Sequence, residues 1–149
     1  MLKERLEADL RTAMKARDEL VTSTLRMAIT AVRNAEVAGA AARELSDDEI
    51  LAVLTKEAKT RREAATAFGD AGRVELAAKE RAEEEVLVAY LPAQLPDEEL
   101  AALVRDALTA GGHSGKSSMG PAMKAAQAAV AGRAEGGRVA AEVRRQLGL

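Results

Sequence analysis

A glycine- and serine-rich segment, residues 111–118, holds the residues most suggestive of phosphate chemistry. Its sequence, GGHSGKSS, places Gly-Lys-Ser directly before a predicted helix. A nucleotide-binding P-loop needs a further glycine five residues before Gly115, and it needs a preceding strand. Position 110 is alanine, and the preceding segment has the apolar periodicity of a helix. The pattern argues against a nucleotide-binding loop, although Lys116 and the backbone amides can still hold a single phosphate at a helix start.

The second group with chemical potential is acidic and consists of Glu80, Glu83, Glu84 and Glu85. Glu80 and Glu84 share one helix face and are candidates for a divalent metal. Lys79 and Arg81 lie among them, which favours a solvated ion-pair face. The single histidine, His113, lies in a polar loop, and the chain has no cysteine. We therefore predict no metal site, no cofactor and no catalytic residue.

The composition predicts an all-α protein. Of 149 residues, 48% are apolar and 31% are charged, and the apolar set includes 34 alanines but only two aromatics, Phe68 and Tyr90. Alanine and leucine are the best helix formers, and the 3.6-residue period dominates. Because so many of the apolar residues are alanines, the helices must approach closely and the core between them must be thin. No run approaches the ~20 apolar residues of a membrane span, and the N-terminus does not resemble a signal peptide, so we expect a cytoplasmic protein without membrane contact.

Periodicity and capping residues divide the chain into two helical parts. Asp18 is a predicted N-cap, and Ser46 with Glu49 forms a capping-box pattern. The glycine-containing segment 69–72 is expected to end the third helix, and Ser117 or Ser118 to cap the sixth. The predicted helices cover residues 2–16, 19–38, 47–68 and 73–90 in an N-terminal bundle, then 97–110, a stretch after residue 118, and 138–147 in a C-terminal trio.

Two prolines separate these parts. The fourth helix has a strongly apolar end that includes Tyr90 and Leu91, and Pro92 and Pro96 follow. Proline lacks a backbone N–H and disfavours the α conformation in the residue before it, so the helix should stop near Tyr90 or Leu91. We predict a hinge formed by these four residues between a domain of residues 1–91 and a domain of residues 96–149.

Charge is distributed unevenly along the chain. The net charge is −2, but residues 111–149 contain only two acidic residues, Glu135 and Glu142. A positive end on an acidic body is typical of a protein with an anionic partner, and ordinary surface solvation is the alternative explanation. The candidate phosphate contacts are the six basic residues of this segment: Lys116, Lys124, Arg133, Arg138, Arg144 and Arg145.

Several short motifs occur in an order that resembles one family over essentially the full chain. They are AMKARD at residues 13–18, TLR at 24–26, AGR at 71–73, YLPAQL at 90–95, MGPAM at 119–123 and GRAEG at 132–136. None is diagnostic alone, but YLPxQL, MGxxM and GRAxG in this order are fairly specific. The sequence resembles the stand-alone YqeY proteins of the GatB/YqeY family.

The resemblance implies an all-helical fold with a three-helix C-terminal part. The same module forms the tail of the B subunit of the glutamine-dependent tRNA amidotransferase, where it contacts tRNA. We therefore expect a non-catalytic module that binds tRNA or docks an amidotransferase subunit, with no DNA as partner. Two alternatives remain open: a carbon–nitrogen ligase that uses glutamine as amide donor, as such proteins are commonly described, and a protein-interaction adaptor.

Overall fold

The predicted all-α fold is confirmed by a computed structural model. The structure describes residues 1–115 and 118–149, and in these residues the chain forms seven α-helices and no strand. Each helix of the sequence analysis is present, with ends that differ by a few residues. The helices are α1 (Leu2–Lys15), α2 (Glu19–Glu36), α3 (Asp47–Asp70), α4 (Val74–Val88), α5 (Asp97–Gly111), α6 (Met119–Val130) and α7 (Gly136–Leu147).

The predicted N-caps of α2 and α3 are confirmed. The Asp18 carboxylate accepts a hydrogen bond from the backbone N–H of Val21 at 3.1 Å. Ser46 and Glu49 form a complete capping box, because each side chain accepts from the other residue's backbone N–H. The Arg43 guanidinium also pairs with Glu49 and, together with the Ser46 backbone N–H, lowers the pKa of that carboxyl to about 2.

The structure refines two predictions about helix ends. α3 ends within the predicted segment 69–72: the helix continues to Asp70, two residues beyond the predicted end, and Gly72 in the following turn has a φ of +75°. Ser118 precedes α6, but its hydroxyl contacts the backbone of Ser114 and makes no capping bond; Ser117 lies outside the described residues.

The chain divides into two compact units, Met1–Leu91 and Pro92–Leu149, called the N-terminal and C-terminal units below. In the N-terminal unit α3 and α4 form a close pair, α2 packs on both, and α1 packs on α2 and α3. Phe68, one of the two aromatic residues, is only half-buried. The core consists of small aliphatic side chains, as the alanine content predicts. Its buried members are Leu6, Leu25, Ala28, Ile29, Val32, Ile50, Leu54, Ala58 and Leu87.

A buried ion pair joins α3 to α4. Arg61 is 3% exposed and Glu83 is 6% exposed. The Nε of Arg61 donates to Glu83 at 3.2 Å, while its Nη1 donates to the carboxylate of Glu57 at 2.7 Å. The predicted solvated face for the glutamates of α4 is therefore wrong for Glu83. The i,i+4 pattern identifies neighbours on one helix, whereas the partner of Glu83 comes from the adjacent helix.

The C-terminal unit packs α5, α6 and α7 around a second apolar core. Leu95, which precedes α5, is 6% exposed and belongs to this core. Tyr90 and Leu91, by contrast, pack against the core of the N-terminal unit. The hinge itself stays a prediction. The buried members of the C-terminal core are Leu95, Leu100, Val104, Leu108, Ala122, Ala126, Val130, Val139 and Val143.

Among the described residues, no helix combines the length and the apolar character needed to cross a membrane.

Candidate anion-binding surfaces

The structure gives the five predicted phosphate contacts that it describes different environments. Arg138 holds the start of α5: its Nη2 donates to the carbonyl oxygen of Leu95 at 2.8 Å and to the Asp97 carboxylate at 2.9 Å. Its side chain is one-third exposed. Because these contacts already occupy one edge of the guanidinium, Arg138 has a structural role in the C-terminal unit. Lys116 lies outside the described residues.

Arg133 belongs to the same structural link. Its carbonyl oxygen accepts a 2.7 Å hydrogen bond from the backbone N–H of Leu95, and its Nε donates to the Val130 carbonyl at 3.2 Å. Gly132 beside it has a φ of +77°, which glycine adopts without strain. The backbone of Leu95 is therefore bonded on both sides, by Arg133 and Arg138. Two of the family motifs, YLPAQL and GRAEG, meet at this link.

Arg145 is exposed but already paired. Its guanidinium donates to the Glu142 carboxylate one turn earlier on α7 through both Nε and Nη2. This bond lowers the pKa of Glu142 and raises that of Arg145, so both groups stay charged near neutral pH. A phosphate would have to displace an ionised carboxylate to contact Arg145 by the same edge. Arg145 therefore offers less to an anionic partner than an unpaired arginine does.

Lys124 and Arg144 are the two described candidates that are exposed and form no ion pair with the described residues. Lys124 lies on α6 and Arg144 on α7, and both side chains are exposed. Neither forms an ion pair with any residue that the structure describes. Exposed cations without a carboxylate partner are the groups that can neutralise phosphates of a bound polyanion. These two residues are the strongest of the five candidates that the structure describes.

Tyr90 of the predicted hinge is held by two residues of α1. Its hydroxyl donates to the Asp9 carboxylate, and the Arg5 guanidinium carbon lies 4.7 Å from its ring centre. Arg5 and Asp9 are one helical turn apart, so the same face of α1 supplies both contacts. Burial raises the pKa of Tyr90 above its ordinary value, the Asp9 contact raises it further, and Arg5 lowers it.

Tyrosine ordinarily ionises near pH 10, and Tyr90 is therefore expected to ionise above that pH. The pKa of Tyr90 is higher in the folded protein than in the unfolded one. The neutral hydroxyl bound to Asp9 therefore stabilises the N-terminal unit below about pH 10. This stabilisation is lost as the pH rises through the pKa of the folded state. Tyr90 is the only tyrosine in a chain without tryptophan, so ultraviolet absorbance reports its titration directly.

Asp9→Asn should lower the Tyr90 titration midpoint, because it removes the nearby negative charge, and Arg5→Gln should raise it. Asp70→Asn, the same substitution at an exposed site, is the control and should leave the midpoint unchanged. A native midpoint equal to that measured in concentrated urea would contradict the proposed Asp9 contact.

The structure also brings together three arginines that the sequence analysis does not single out. A groove of about 490 Å³ lies between α1 and α2, and Arg11, Arg26 and Arg33 contribute to its walls. Arg26 and Arg33 lie two turns apart on α2, and Arg11 comes from α1, so only the packing of the two helices brings all three together. We call this feature the α1–α2 groove; its lining residues are Glu7, Leu10, Arg11, Arg26, Ile29, Thr30 and Arg33.

Neither the glutamates of α4 nor His113 lies in a group of metal-binding side chains within the described residues. Glu84 pairs with Arg62 on α3 at 3.6 Å. The backbone N–H of His113 donates to the Leu108 carbonyl at the end of α5. Among the described residues, no three acidic or histidine side chains are grouped as metal ligands.

Comparison with known families identifies the chain. The family model described as "Yqey-like protein" matches residues 3–147, which is essentially the whole chain. No curated protein matches the chain in a search of such proteins. The matched span covers both units, and it includes the YLPAQL and GRAEG segments that meet at Leu95. On this evidence the chain belongs to the family of YqeY-like proteins.

Proposed function

We propose that this YqeY-like protein is a tRNA-binding module that acts beside an amidotransferase and contacts RNA through its C-terminal unit. The observation that carries the proposal is the pair of exposed cations, Lys124 and Arg144, which have no ionic partner in the described part of the unit. The class of RNA comes from the resemblance, in which the same module is the tRNA-contacting tail of an amidotransferase subunit.

The charge distribution within the C-terminal unit supports a one-sided polyanion contact. Residues 92–110, which include α5, carry four acidic residues and one basic residue. Residues 111–149 carry six basic residues and two acidic ones. An RNA would therefore be attracted to α6 and α7 and repelled by α5. Such an arrangement favours one orientation of the unit on the RNA, as phosphate contacts generally do.

The residue types indicate how the RNA would be recognised. Both aromatic residues of the chain, Phe68 and Tyr90, belong to the N-terminal unit, so the C-terminal unit has no ring on which a base can stack. Recognition of single-stranded bases relies on such stacking, whereas folded RNA is recognised largely by shape and phosphate contacts. The unit is suited to folded RNA such as tRNA.

Salt dependence of tRNA binding is the test. We expect the full-length protein to bind bulk tRNA at low salt, with an affinity that falls steeply as salt increases, because bound cations release counterions from the phosphates. Lys124→Gln/Arg144→Gln should reduce the slope of log affinity against log salt by about two, roughly one for each lost phosphate contact. Fluorescence anisotropy with labelled tRNA at several salt concentrations measures both quantities.

A charge-matched control separates a specific surface from general attraction. Arg73→Gln/Arg105→Gln also removes two positive charges, from an exposed site in each unit. Arg105 forms an ion pair with its neighbour Asp106. This variant should keep the wild-type slope. Absence of tRNA binding at low salt, a flat salt response, or an equal loss in the control would reject the proposal.

A further inference from the structure

We propose that the α1–α2 groove is a phosphate-binding site for a phosphorylated organic ligand, held by Arg11, Arg26 and Arg33. The site lies entirely in the N-terminal unit, so it goes beyond the tRNA contact proposed for the C-terminal unit. Phosphate groups of two sources share this chemistry: a free phosphorylated small molecule and the backbone of an RNA.

Helix periodicity explains how the arginines converge. Arg26, Thr30 and Arg33 recur along α2 at spacings of four and three residues, so they form one stripe on its surface. Glu7, Leu10 and Arg11 form the corresponding stripe on α1, which packs directly against α2. The groove between the two stripes is lined by three guanidinium groups and one carboxylate.

The positive charges of these guanidinium groups are poorly neutralised by carboxylates within the described residues. Arg33 lies 3.9 Å from Glu7, near the limit for an ion pair, and both side chains remain solvent-accessible. The Arg26 guanidinium forms no ion pair with the described residues and lies 3.8 Å from the sulfur of Met14. Arg11 forms no ion pair with the described residues. Like charges lining one groove repel each other, and a bound anion removes that repulsion.

Arginine is the side chain best suited to the proposed anion. Its planar guanidinium presents several N–H donors in a fixed arrangement and can bind a phosphate through two parallel hydrogen bonds. The N-terminal unit contains eighteen acidic residues and fifteen basic ones. The groove, with three arginines and one glutamate, is therefore positive, although the unit as a whole is acidic.

The floor of the groove indicates that the ligand is more than an inorganic ion. Ile29 is 5% exposed, and Leu10 is half-buried. Apolar surface at the floor reduces the local polarity and strengthens the attraction between the arginines and an anion. A volume of about 490 Å³ falls within the range of pockets for small organic ligands. A phosphate group on an organic body would use both the rim and the floor.

The test is an NMR titration of the full-length protein at constant ionic strength, with inorganic pyrophosphate and then AMP as probes. We expect both probes to shift the amide signals of the groove residues in a saturable manner, and AMP to shift the methyl signals of Leu10 and Ile29 as well. Arg11→Gln/Arg26→Gln/Arg33→Gln should weaken the binding of both probes at least tenfold. Glutamine retains a long helix-favouring side chain but removes the charge.

The control variant is Lys56→Gln/Lys59→Gln/Arg73→Gln, which removes three exposed positive charges elsewhere in the N-terminal unit. Its affinity for both probes should stay within twofold of wild type. Shifts that increase linearly without saturation, or equal weakening in the two triple variants, would overturn the proposal.

A third arm distinguishes the source of the phosphate. If the ligand is a small molecule, AMP shifts the groove signals and tRNA does not displace it. If the ligand is RNA, tRNA displaces pyrophosphate from the groove and Arg11→Gln/Arg26→Gln/Arg33→Gln weakens tRNA binding. Either result supports a phosphate site. The pyrophosphate arm contains no RNA, so failure of the tRNA proposal leaves this test intact, and failure here leaves the Lys124 and Arg144 test intact.

Discussion

Replacing Arg61 with alanine is expected to lower the free energy of unfolding of the N-terminal unit by about 3–5 kcal/mol. Arg61 donates to Glu83 at 3.2 Å and to Glu57 at 2.7 Å, and its remaining donor group faces the sulfur of Met27 at 3.6 Å. Its removal leaves the Glu83 carboxylate, 6% exposed, without this cation and also creates a cavity. Both effects reduce stability.

Tyr90 makes this measurement specific to the N-terminal unit. As the only tyrosine, and in that unit, it reports unfolding by urea through its fluorescence. Arg81→Ala, an arginine-to-alanine change at an exposed site of α4, should change the unfolding free energy by less than about 0.5 kcal/mol. An effect of Arg61→Ala no larger than this would contradict the buried ion pair.

The double variant Arg61→Met/Glu83→Leu separates charge burial from packing. Replacing both members of a buried ion pair with apolar residues is often neutral, because neither buried charge of the pair remains to be desolvated. We expect the double variant to recover most of the stability that Arg61→Ala loses. Failure to recover it would indicate that the contacts of Arg61 with Glu57 and Met27 contribute more than its bond with Glu83.

Leu95→Ala is expected to unfold most of the C-terminal unit. Truncation of a buried leucine costs about 2–5 kcal/mol, and Leu95 is 6% exposed within the second core. A unit of this size, with a single small aliphatic core, rarely has more than roughly 3–5 kcal/mol of stability in total. The loss is therefore comparable to the whole stability of the unit.

The experiment uses two-dimensional NMR spectra of the full chain. Signals of residues 92–149 should collapse toward random-coil positions in Leu95→Ala, with a partial loss of helical circular dichroism. Alanine keeps the backbone bonds to Arg133 and from Arg138, so the result isolates the apolar side chain. Leu149→Ala makes the same change at a half-exposed position and should leave the spectrum dispersed. Dispersed signals in both variants would contradict a core role for Leu95.

The candidate contacts illustrate where residue type predicts a role and where it does not. Lys124, Arg133, Arg138, Arg144 and Arg145 are equivalent in a sequence, because each is a cation in a positive segment. The structure separates them by their partners: Arg138 binds Leu95 and Asp97, Arg145 binds Glu142, and Arg133 supplies a backbone acceptor. A count of charges along the sequence cannot reveal these pairings, because the two partners of Arg138 lie 43 and 41 residues away in the chain.

What the sequence alone determined is local: the seven helices, the caps at Asp18 and Ser46, and membership of the YqeY-like family. The helices and caps depend on residues within a turn or two of each other, where hydrogen bonds and side-chain periodicity follow directly from spacing. The family membership depends on short motifs in a fixed order along the whole chain. Even there, α3 ends two residues later than the sequence predicts.

What only the tertiary structure decided is which helix faces which. The Arg61–Glu83 pair, the link between Leu95 and Arg133, and the arginines of the α1–α2 groove all join residues of different elements. Their formation depends on the packing of many weak apolar contacts at once, and an alanine-rich sequence carries little information about such pairings because its side chains are nearly alike.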